Sequence, residues 1–174
     1  MFHRVLLVGF MGSGKTRVGR ALAQRLGWSF HDFDEEIEAR AGLSIPEIFR
    51  RHGEEFFRRM EEEVGKEALQ ARRAVLASGG GWPVAPGRLE ELGPDTFSVW
   101  LKVTPEEAVR RAAAEGVGRP LLAVDDPLSR ARALLAEREP FYGKAHAAID
   151  STEAGPEELA REIEDLMNER WNNS

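Results

Sequence analysis

The sequence predicts an α/β fold in which a five-stranded parallel sheet is covered by helices on both faces, forming three layers. Short apolar runs alternate with longer amphipathic segments along the chain, which is the order of elements found in parallel sheets. The first run, residues 5–8, is apolar at every position, as expected for a strand buried on both faces. The 174 residues contain no repeat and no long linker, so we expect one domain over 1–174.

Five runs have the length and composition of strands. Residues 5–8 and 74–77 are the clearest, because each is apolar throughout and is followed closely by glycine. The predicted strands are 5–8, 28–33, 74–77, 97–103 and 147–150. Since parallel sheets bind ligands beyond the carboxyl ends of their strands, the residues that follow these runs are the candidates for a functional site.

Helices are predicted where apolar residues recur every third or fourth position between start and stop signals. Ser44 and Thr104 each open a capping box with proline in the first turn, and Gly27 and Gly42 are placed to end helices. Gly53 separates two further helical segments. The predicted helices are 15–26, 34–41, 45–52, 54–72, 88–92, 105–115, 127–138 and 156–169.

Residues 9–16 read Gly-Phe-Met-Gly-Ser-Gly-Lys-Thr, which matches the phosphate-binding pattern G-x-x-x-x-G-K-[ST] in full. A chance glycine-rich turn is the alternative, but the motif lies between a predicted strand and a predicted helix, as phosphate binding requires. Lys15 would reach the outer phosphates of ATP, and Thr16 would bind Mg²⁺ through its hydroxyl. The residues predicted to bind the nucleotide here are Gly12, Ser13, Gly14, Lys15 and Thr16.

This motif occurs in several classes of protein, and the rest of the sequence narrows the choice. A switch GTPase would carry an Asn-Lys-x-Asp motif, which this chain lacks, and transporter ATPases need further domains that 174 residues cannot hold. The net charge of −6 argues against general nucleic-acid binding, and the lack of cysteine excludes disulfides and thiolate metal sites. A kinase for a small metabolite is the simplest remaining class.

The predicted location and partners follow from composition. No apolar run approaches the ~20 residues of a membrane-spanning helix, so we expect a cytoplasmic protein. The start of the chain is basic and then apolar, as in a signal peptide, but the apolar run leads directly into the phosphate-binding motif. We expect a monomer that acts on small molecules, without a nucleic-acid or membrane partner.

Two carboxylates follow the second predicted strand, beside the expected position of the phosphate loop. Asp32 and Asp34 flank a phenylalanine there. Phosphoryl transfer needs one acid near Mg²⁺ and another that orients or deprotonates the attacking hydroxyl. The structural alternative is a helix start, where acidic residues favour the helix dipole, and this explains Glu35 and Glu36 well.

Four further features have both a functional and a structural interpretation. Arg58 belongs to a charged run that could form pairs along an exposed helix face. The glycine triplet 79–81 indicates either a close approach of the backbone to a ligand or a plain turn. Arg119 lies in an irregular segment that is either a surface loop or a mobile lid over a transferred phosphate. Arg138, near a predicted helix end, could stabilise the helix dipole.

Taken together, these segments resemble the shikimate kinase family over nearly the whole chain. The phosphate loop is general, whereas the Phe-Arg-Arg-x-Glu stretch, the glycine triplet and the Arg-Pro-Leu-Leu segment are specific in their order and spacing. The matching stretches are GFMGSGKT at 9–16, DFD at 32–34, SIPEIF at 44–49, GEEFFRRME at 53–61, GGG at 79–81, RPLL at 119–122 and REPFY at 138–142.

The resemblance implies a kinase of the P-loop fold that uses ATP to phosphorylate the 3-hydroxyl of shikimate, in the pathway to aromatic amino acids. It implies that Lys15, Asp34 and Arg119 are catalytic, with Asp34 on ring hydroxyls near the attacking oxygen and Arg119 closing over the phosphates. It also implies a lid at about 112–126 and a substrate-binding helical segment at about 34–61.

The remaining substrate contacts are implied in the same way. Arg58 and Arg138 would hold the shikimate carboxylate, and Asp32 would lie near Mg²⁺. Adenine would stack on Arg111, with Pro156 on its other side. The other residues implied to bind shikimate are Phe49, Phe57, Gly79, Gly80 and Gly81.

Two other functions stay open from the residues alone. A kinase for another polyol acid, such as gluconate, would have a pocket without the pairing of Arg58 and Arg138. A regulatory nucleotide-binding protein that has lost catalysis, or a kinase domain detached from a larger pathway enzyme, would be favoured by the loss of Asp34 or Arg119, and both are present.

Two residues depart from the pattern that the family shows. Arg17 follows the phosphate loop where threonine or serine is common, and Trp82 follows the glycine triplet where a small residue is usual. Neither change removes a predicted functional group, but Trp82 leaves the shape of the pocket open.

Overall fold

One parallel sheet of five strands organises the part of the chain that the computed structural model describes, residues 1–115 and 120–173. The strands are β1 (Arg4–Val8), β2 (Ser29–Asp32), β3 (Ala74–Ala77), β4 (Thr96–Lys102) and β5 (Ala147–Asp150). They lie in the order β2-β3-β1-β4-β5, and every neighbouring pair is parallel. The predicted α/β fold with a five-stranded parallel sheet is therefore confirmed.

Helices cover both faces of this sheet. They are α1 (Lys15–Leu26), α2 (Phe33–Ala41), α3 (Ile45–Ala68), α4 (Pro105–Ala114), α5 (Pro127–Tyr142) and α6 (Pro156–Asn172). Apolar residues of α1 and α6 pack on one face, and those of α2 to α5 pack on the other. A 3₁₀ turn spans Pro120–Leu122 and leads towards α5.

The central strand β1 shows why the sheet needs a layer of helices on each side. Leu6 and Val8 belong to the apolar core on one face, and Val5 and Leu7 belong to the core on the other. All four side chains are fully buried, and each contributes about 1.5–3 kcal/mol relative to an exposed position. Two apolar layers therefore hold the sheet, while its carboxyl edge faces the loops that can bind ligands.

The second strand is shorter than predicted, because Asp32 turns the chain into a helix. The Asp32 carboxylate accepts hydrogen bonds from the backbone N–H groups of Asp34 and Glu35, which caps α2. Phe33 is consequently the first residue of α2, and the prediction that placed it at the end of the strand is wrong.

Other helix boundaries also differ from prediction. Gly53 breaks α3 with φ 82° and ψ 172°, as predicted, but the second half ends at Ala68 rather than 72. Residues 88–92 form turns instead of the predicted helix. The helix predicted to end at 138 continues to Tyr142. Pro140, in its last turn, does not end the helix there, since it removes only one backbone N–H group. Helix α6 likewise runs to Asn172 rather than 169.

Within residues 1–115 and 120–173, none of the helices combines the length and the apolar composition needed to cross a bilayer.

Candidate active site

The phosphate loop joins β1 to α1 at the carboxyl edge of the sheet. Gly12 and Gly14 adopt φ values of 77° and 88°, which side chains other than glycine rarely tolerate. A Cβ on Gly12 would also lie 2.9 Å from the carbonyl oxygen of Ala108 in α4. The loop therefore needs glycine both for its turn and for its contact with the neighbouring helix.

Lys15 lies across this loop. Its Nζ donates hydrogen bonds to the carbonyl oxygens of Gly9, at 2.8 Å, and of Phe10, at 3.0 Å. Ser13 is fully buried, and its backbone N–H donates to the Phe10 carbonyl at 3.1 Å. The ammonium group is thus held over the concave side of the loop, where it can turn towards an anion.

Thr16 and Asp32 form a close pair next to the loop. The Thr16 hydroxyl donates to Asp32 Oδ2 at 2.5 Å, while Asp32 Oδ1 accepts the α2 N–H groups at 3.0 and 3.2 Å. Only 7% of Asp32 is exposed. A hydroxyl and a carboxylate are oxygen ligands of the kind Mg²⁺ prefers, and Mg²⁺ commonly completes its shell with phosphate and water oxygens. Across the described ranges, no group of three or more His, Cys, Asp or Glu residues is placed to hold a metal ion.

A cavity of about 420 Å³, here called the central cavity, opens beside this pair. Its volume lies within the usual range for small-molecule sites. Leu121, in the 3₁₀ turn, lines one part of it. The sequence-predicted residues that line it are Lys15, Thr16, Asp32, Asp34, Phe49, Phe57, Arg58, Gly79, Gly80, Gly81 and Arg138.

The glycine triplet is packed against the charged groups of the central cavity. A Cβ on Gly79 would collide with the Glu61 carboxylate, and a Cβ on Gly81 would collide with the Arg58 guanidinium. A Cβ on Gly80 would lie 3.1 Å from Arg138 Nη1. The triplet is therefore not a plain turn, since each position leaves room for one ionisable side chain.

Glu61 is a member of the site that sequence reasoning missed. It is 2% exposed, and its Oε2 accepts a hydrogen bond from Arg58 Nη1 at 2.8 Å. Burial raises the pKa of Glu61 above its ordinary value, while the Arg58 charge opposes that rise. Two sequence signals touched it: its position three residues after Arg58, which predicts an ordinary helix-surface pair, and its place at the end of the Phe-Arg-Arg-x-Glu stretch, to which no role was assigned. Glu54 holds the other side of the same guanidinium, with 3.2 Å between Oε1 and Arg58 Nη2.

Arg138 lies inside α5 and is buried, so the interpretation that it stabilises a helix end is wrong. Its guanidinium carbon lies 5.9 Å from the centre of the Phe10 ring. One turn further on, the Tyr142 hydroxyl donates to the Gly80 carbonyl at 2.6 Å. Burial raises the pKa of Tyr142 to about 12, so the phenol stays protonated and keeps donating to this carbonyl. Tyr142 therefore fixes the triplet from the side of α5, and the Arg138 guanidinium lies beside Gly80.

A second cavity of about 470 Å³, here called the outer cavity, lies on the other side of the phosphate loop. Arg111 Nη1 donates to the Gly12 carbonyl at 3.0 Å, and Nη2 donates to the carbonyls of Ser151 and Thr152 at 2.8 Å each. These bonds fix the guanidinium between the loop and the segment after β5. The predicted residues that line this cavity are Gly12, Ser13, Gly14, Arg111 and Pro156.

Arg119 lies outside the described residues, as does the middle of the predicted lid, 112–126.

Trp82 does not line the central cavity. Its ring packs edge-on against Phe33, with 5.4 Å between ring centres, and the Arg88 guanidinium lies 4.6 Å from the ring centre. Trp82, which left the shape of the pocket open at the level of sequence, therefore does not form part of the wall of the central cavity.

Comparison with known proteins places this arrangement in a family. A model of the shikimate kinase family matches residues 11–168. A protein named shikimate kinase from Moorella thermoacetica is 46% identical over 163 residues, which cover 94% of this chain and 93% of the relative. The solved structure of shikimate kinase from Acinetobacter baumannii in complex with shikimate is 37% identical, with a TM-score of 0.90 over 98% of this chain and 95% of its own.

A gluconokinase structure from Sinorhizobium meliloti is 20% identical, with a TM-score of 0.63 over 98% of this chain and 94% of its own. At that identity it shows only a shared fold, whereas the matches above extend to sequence over nearly the full length. The chain belongs to the shikimate kinase family.

Proposed function

We propose that this protein transfers the γ-phosphate of ATP to the 3-hydroxyl of shikimate, giving shikimate 3-phosphate and ADP. The observation that carries the proposal is the pair of cavities that flank one phosphate loop. The outer cavity has the size and the fixed arginine for a nucleobase, and the central cavity combines two arginines with carboxylates. We take the chain to act as a monomeric single-domain kinase.

The nucleotide would bind with its base in the outer cavity, between Arg111 and Pro156. Its phosphates would follow the backbone N–H groups of the loop and the positive end of α1. Lys15 would leave the loop carbonyls and contact the outer phosphates, because a charged phosphate oxygen is a stronger acceptor than a carbonyl.

Thr16 and Asp32 would hold Mg²⁺, either directly or through water. When bound, Mg²⁺ supplies positive charge that neutralises the phosphate oxygens during transfer. Asp32 keeps its carboxylate in place for this role through the cap it makes on α2.

Shikimate is a small ring with one carboxylate and several hydroxyls, and the central cavity supplies complementary groups for each part. Arg58 and Arg138 offer paired N–H donors, which suit the geometry of a carboxylate. Phe49 and Phe57, whose ring centres are 5.0 Å apart, form an apolar wall for the ring. Gly79, Gly80 and Gly81 allow the substrate to approach the backbone.

The Asp34 carboxylate would accept a hydrogen bond from the attacking 3-hydroxyl and provide the base for its proton. Phosphoryl transfer depends mainly on positioning and charge neutralisation, which Lys15 would supply at the loop. By resemblance, Arg119 on the lid at 112–126 would close over the phosphates and add a second positive charge.

The test is ADP formation from ATP and Mg²⁺ with shikimate or gluconate as the acceptor. We expect ADP formation that depends on shikimate and is at least about 100-fold slower with gluconate, because a flexible chain acid cannot place its hydroxyls as the ring does. Faster turnover with gluconate than with shikimate would contradict the proposal that shikimate is the substrate. ATP binding without turnover on either acid would instead favour a non-catalytic nucleotide-binding protein.

A further inference from the structure

The residue after the phosphate loop, Arg17, lies where the two cavities meet. The central and outer cavities share two lining residues among those described, Arg17 and Glu115. Lys15 and Thr16 line the central cavity, whereas the loop glycines Gly12 and Gly14 line the outer one. A nucleotide with its base in the outer cavity and its last phosphate in the central one must therefore cross this boundary.

Arg17 carries a positive charge at the amino-terminal end of a helix, where acidic residues are the usual choice. Arg17 belongs to the first turn of α1, where the positive end of the helix dipole disfavours a cation. Within residues 1–115 and 120–173 it makes no ion pair or side-chain hydrogen bond, whereas Arg20 binds Glu35 at 2.6 Å and Arg25 pairs with Glu164. A bound anion would offset this unfavourable interaction between the Arg17 charge and the helix dipole, because the anion would interact favourably with both the helix end and the guanidinium.

The overall charge of the protein makes such a cation useful. The net charge is −6, and Glu115 adds a carboxylate at the same boundary. A polyphosphate crossing there needs local positive charge beyond that of Lys15, which belongs to the central cavity. Arg17 is exposed, so it can reach a phosphate without first breaking a protein contact.

We infer that Arg17 binds the inner phosphates of the nucleotide at the junction of the two cavities, and so contributes to nucleotide affinity. This inference rests on the proposed function for the placement of the nucleotide. It assigns Arg17 to the phosphates rather than to the base or to shikimate.

Calorimetric titration with ADP tests this role, with adenosine measured by competition. We expect Arg17→Gln to weaken ADP binding about five- to tenfold, in line with one charge-assisted hydrogen bond at an exposed site. Adenosine affinity should change less than about twofold, because adenosine carries no phosphate. The loss of ADP affinity should shrink at high ionic strength, since an exposed charge is screened by salt.

Two further variants sharpen the result. Arg17→Lys keeps the charge and should recover part of the lost ADP affinity. Arg25→Gln removes the same charge from the far end of α1, and should leave ADP binding unaltered. An unchanged ADP affinity in Arg17→Gln would overturn the inference, and so would an equal loss for adenosine, which would indicate a contact with the base.

The outcome also separates this inference from the proposed function. If the wild-type protein phosphorylates shikimate and Arg17→Gln binds ADP normally, the inference alone fails. If the wild-type protein does not bind ADP, both fail together.

Discussion

The carboxylate of Glu61 occupies the space that a Cβ on Gly79 would fill. The two residues lie on different elements, since Glu61 belongs to α3 and Gly79 follows β3. The same hypothetical Cβ would lie 3.3 Å from Asp34 Oδ1. Because Gly79 has no side chain, the carboxylates of Glu61 and of Asp34, the proposed base, can lie next to each other at the edge of the sheet.

Substitution of Gly79 should impair the reaction with shikimate far more than the binding of the nucleotide. Gly79→Ala would displace Glu61 and, through it, Arg58, so we expect kcat/KM for shikimate to fall about 100-fold or more. ADP affinity should change less than about twofold. Steady-state kinetics and ADP titration would measure both. Gly155→Ala is the matched control, because a Cβ there meets no atom within 4 Å. Wild-type kinetics in Gly79→Ala would contradict this prediction, because they would show that the Glu61 side chain can move without displacing Arg58.

Asp34 is the residue on which the transfer step most depends. Asp34→Asn keeps the size of the side chain but removes the charge and most of the basicity. We expect kcat to fall about 10²–10⁴-fold, the usual contribution of a general base. ADP affinity should stay within about twofold of the wild type. Turnover at the wild-type rate in this variant would remove Asp34 from the mechanism.

Glu61 should lower stability at neutral pH while it supports function. Because burial raises the pKa of Glu61, the folded state holds its proton more tightly than the unfolded state does. The free energy of unfolding should therefore fall as pH rises from the ordinary glutamate pKa towards the folded one. Glu61→Gln should weaken this pH dependence and should raise the melting temperature at neutral pH.

The same variant should be less active. Glutamine keeps a hydrogen-bond acceptor for Arg58 but loses the charge that fixes its guanidinium, so we expect the KM for shikimate to rise about tenfold. Glu63→Gln, which changes an exposed glutamate of the same helix, is the control. A stable variant with an unchanged KM would leave Glu61 with a structural role only.

His146 gives the stability a second dependence on pH, in the opposite direction. Its Nδ1 accepts hydrogen bonds from the Ser98 backbone N–H at 3.0 Å and is 2.8 Å from Ser98 Oγ. Burial lowers the pKa of His146. The unfolded state therefore takes up the proton first, and stability should be lost as pH falls below about 6.5, the ordinary histidine value.

Chemical unfolding at several pH values would measure this effect. We expect His146→Gln to flatten the loss of stability between about pH 6.5 and 5, with a cost of about 1–3 kcal/mol at pH 7.5 from the altered hydrogen bonds. His52→Gln, at an exposed position, is the control. If the two variants have the same pH profile, His146 does not titrate on unfolding.

Local features of the site were predictable from sequence, because a short segment determines them. The phosphate loop needs its glycines for its own backbone angles, and the apolar run of β1 predicts its burial directly. The capping boxes at Ser44 and Thr104 were likewise visible as patterns, and both serve as helix caps.

Features that depend on contacts between distant elements were not predictable. By its residue pattern alone Glu61 looked like one more charge on a helix surface, whereas in the fold it is buried and lies against Gly79. Arg138 looked like a helix-end cation for the same reason. The end of β2 was misplaced because the Asp32 side chain caps α2 within the same few residues, and strand propensity does not include that hydrogen bond.

The central claim, phosphorylation of the shikimate 3-hydroxyl, is tested most directly by identifying the product. ATP, Mg²⁺, shikimate and the wild-type protein would be incubated, and the product analysed by ³¹P and ¹H NMR. We predict a single phosphate ester coupled to the proton on carbon 3, formed in equal amount with ADP. An ester at another hydroxyl, or inorganic phosphate as the only new phosphorus species, would contradict the account.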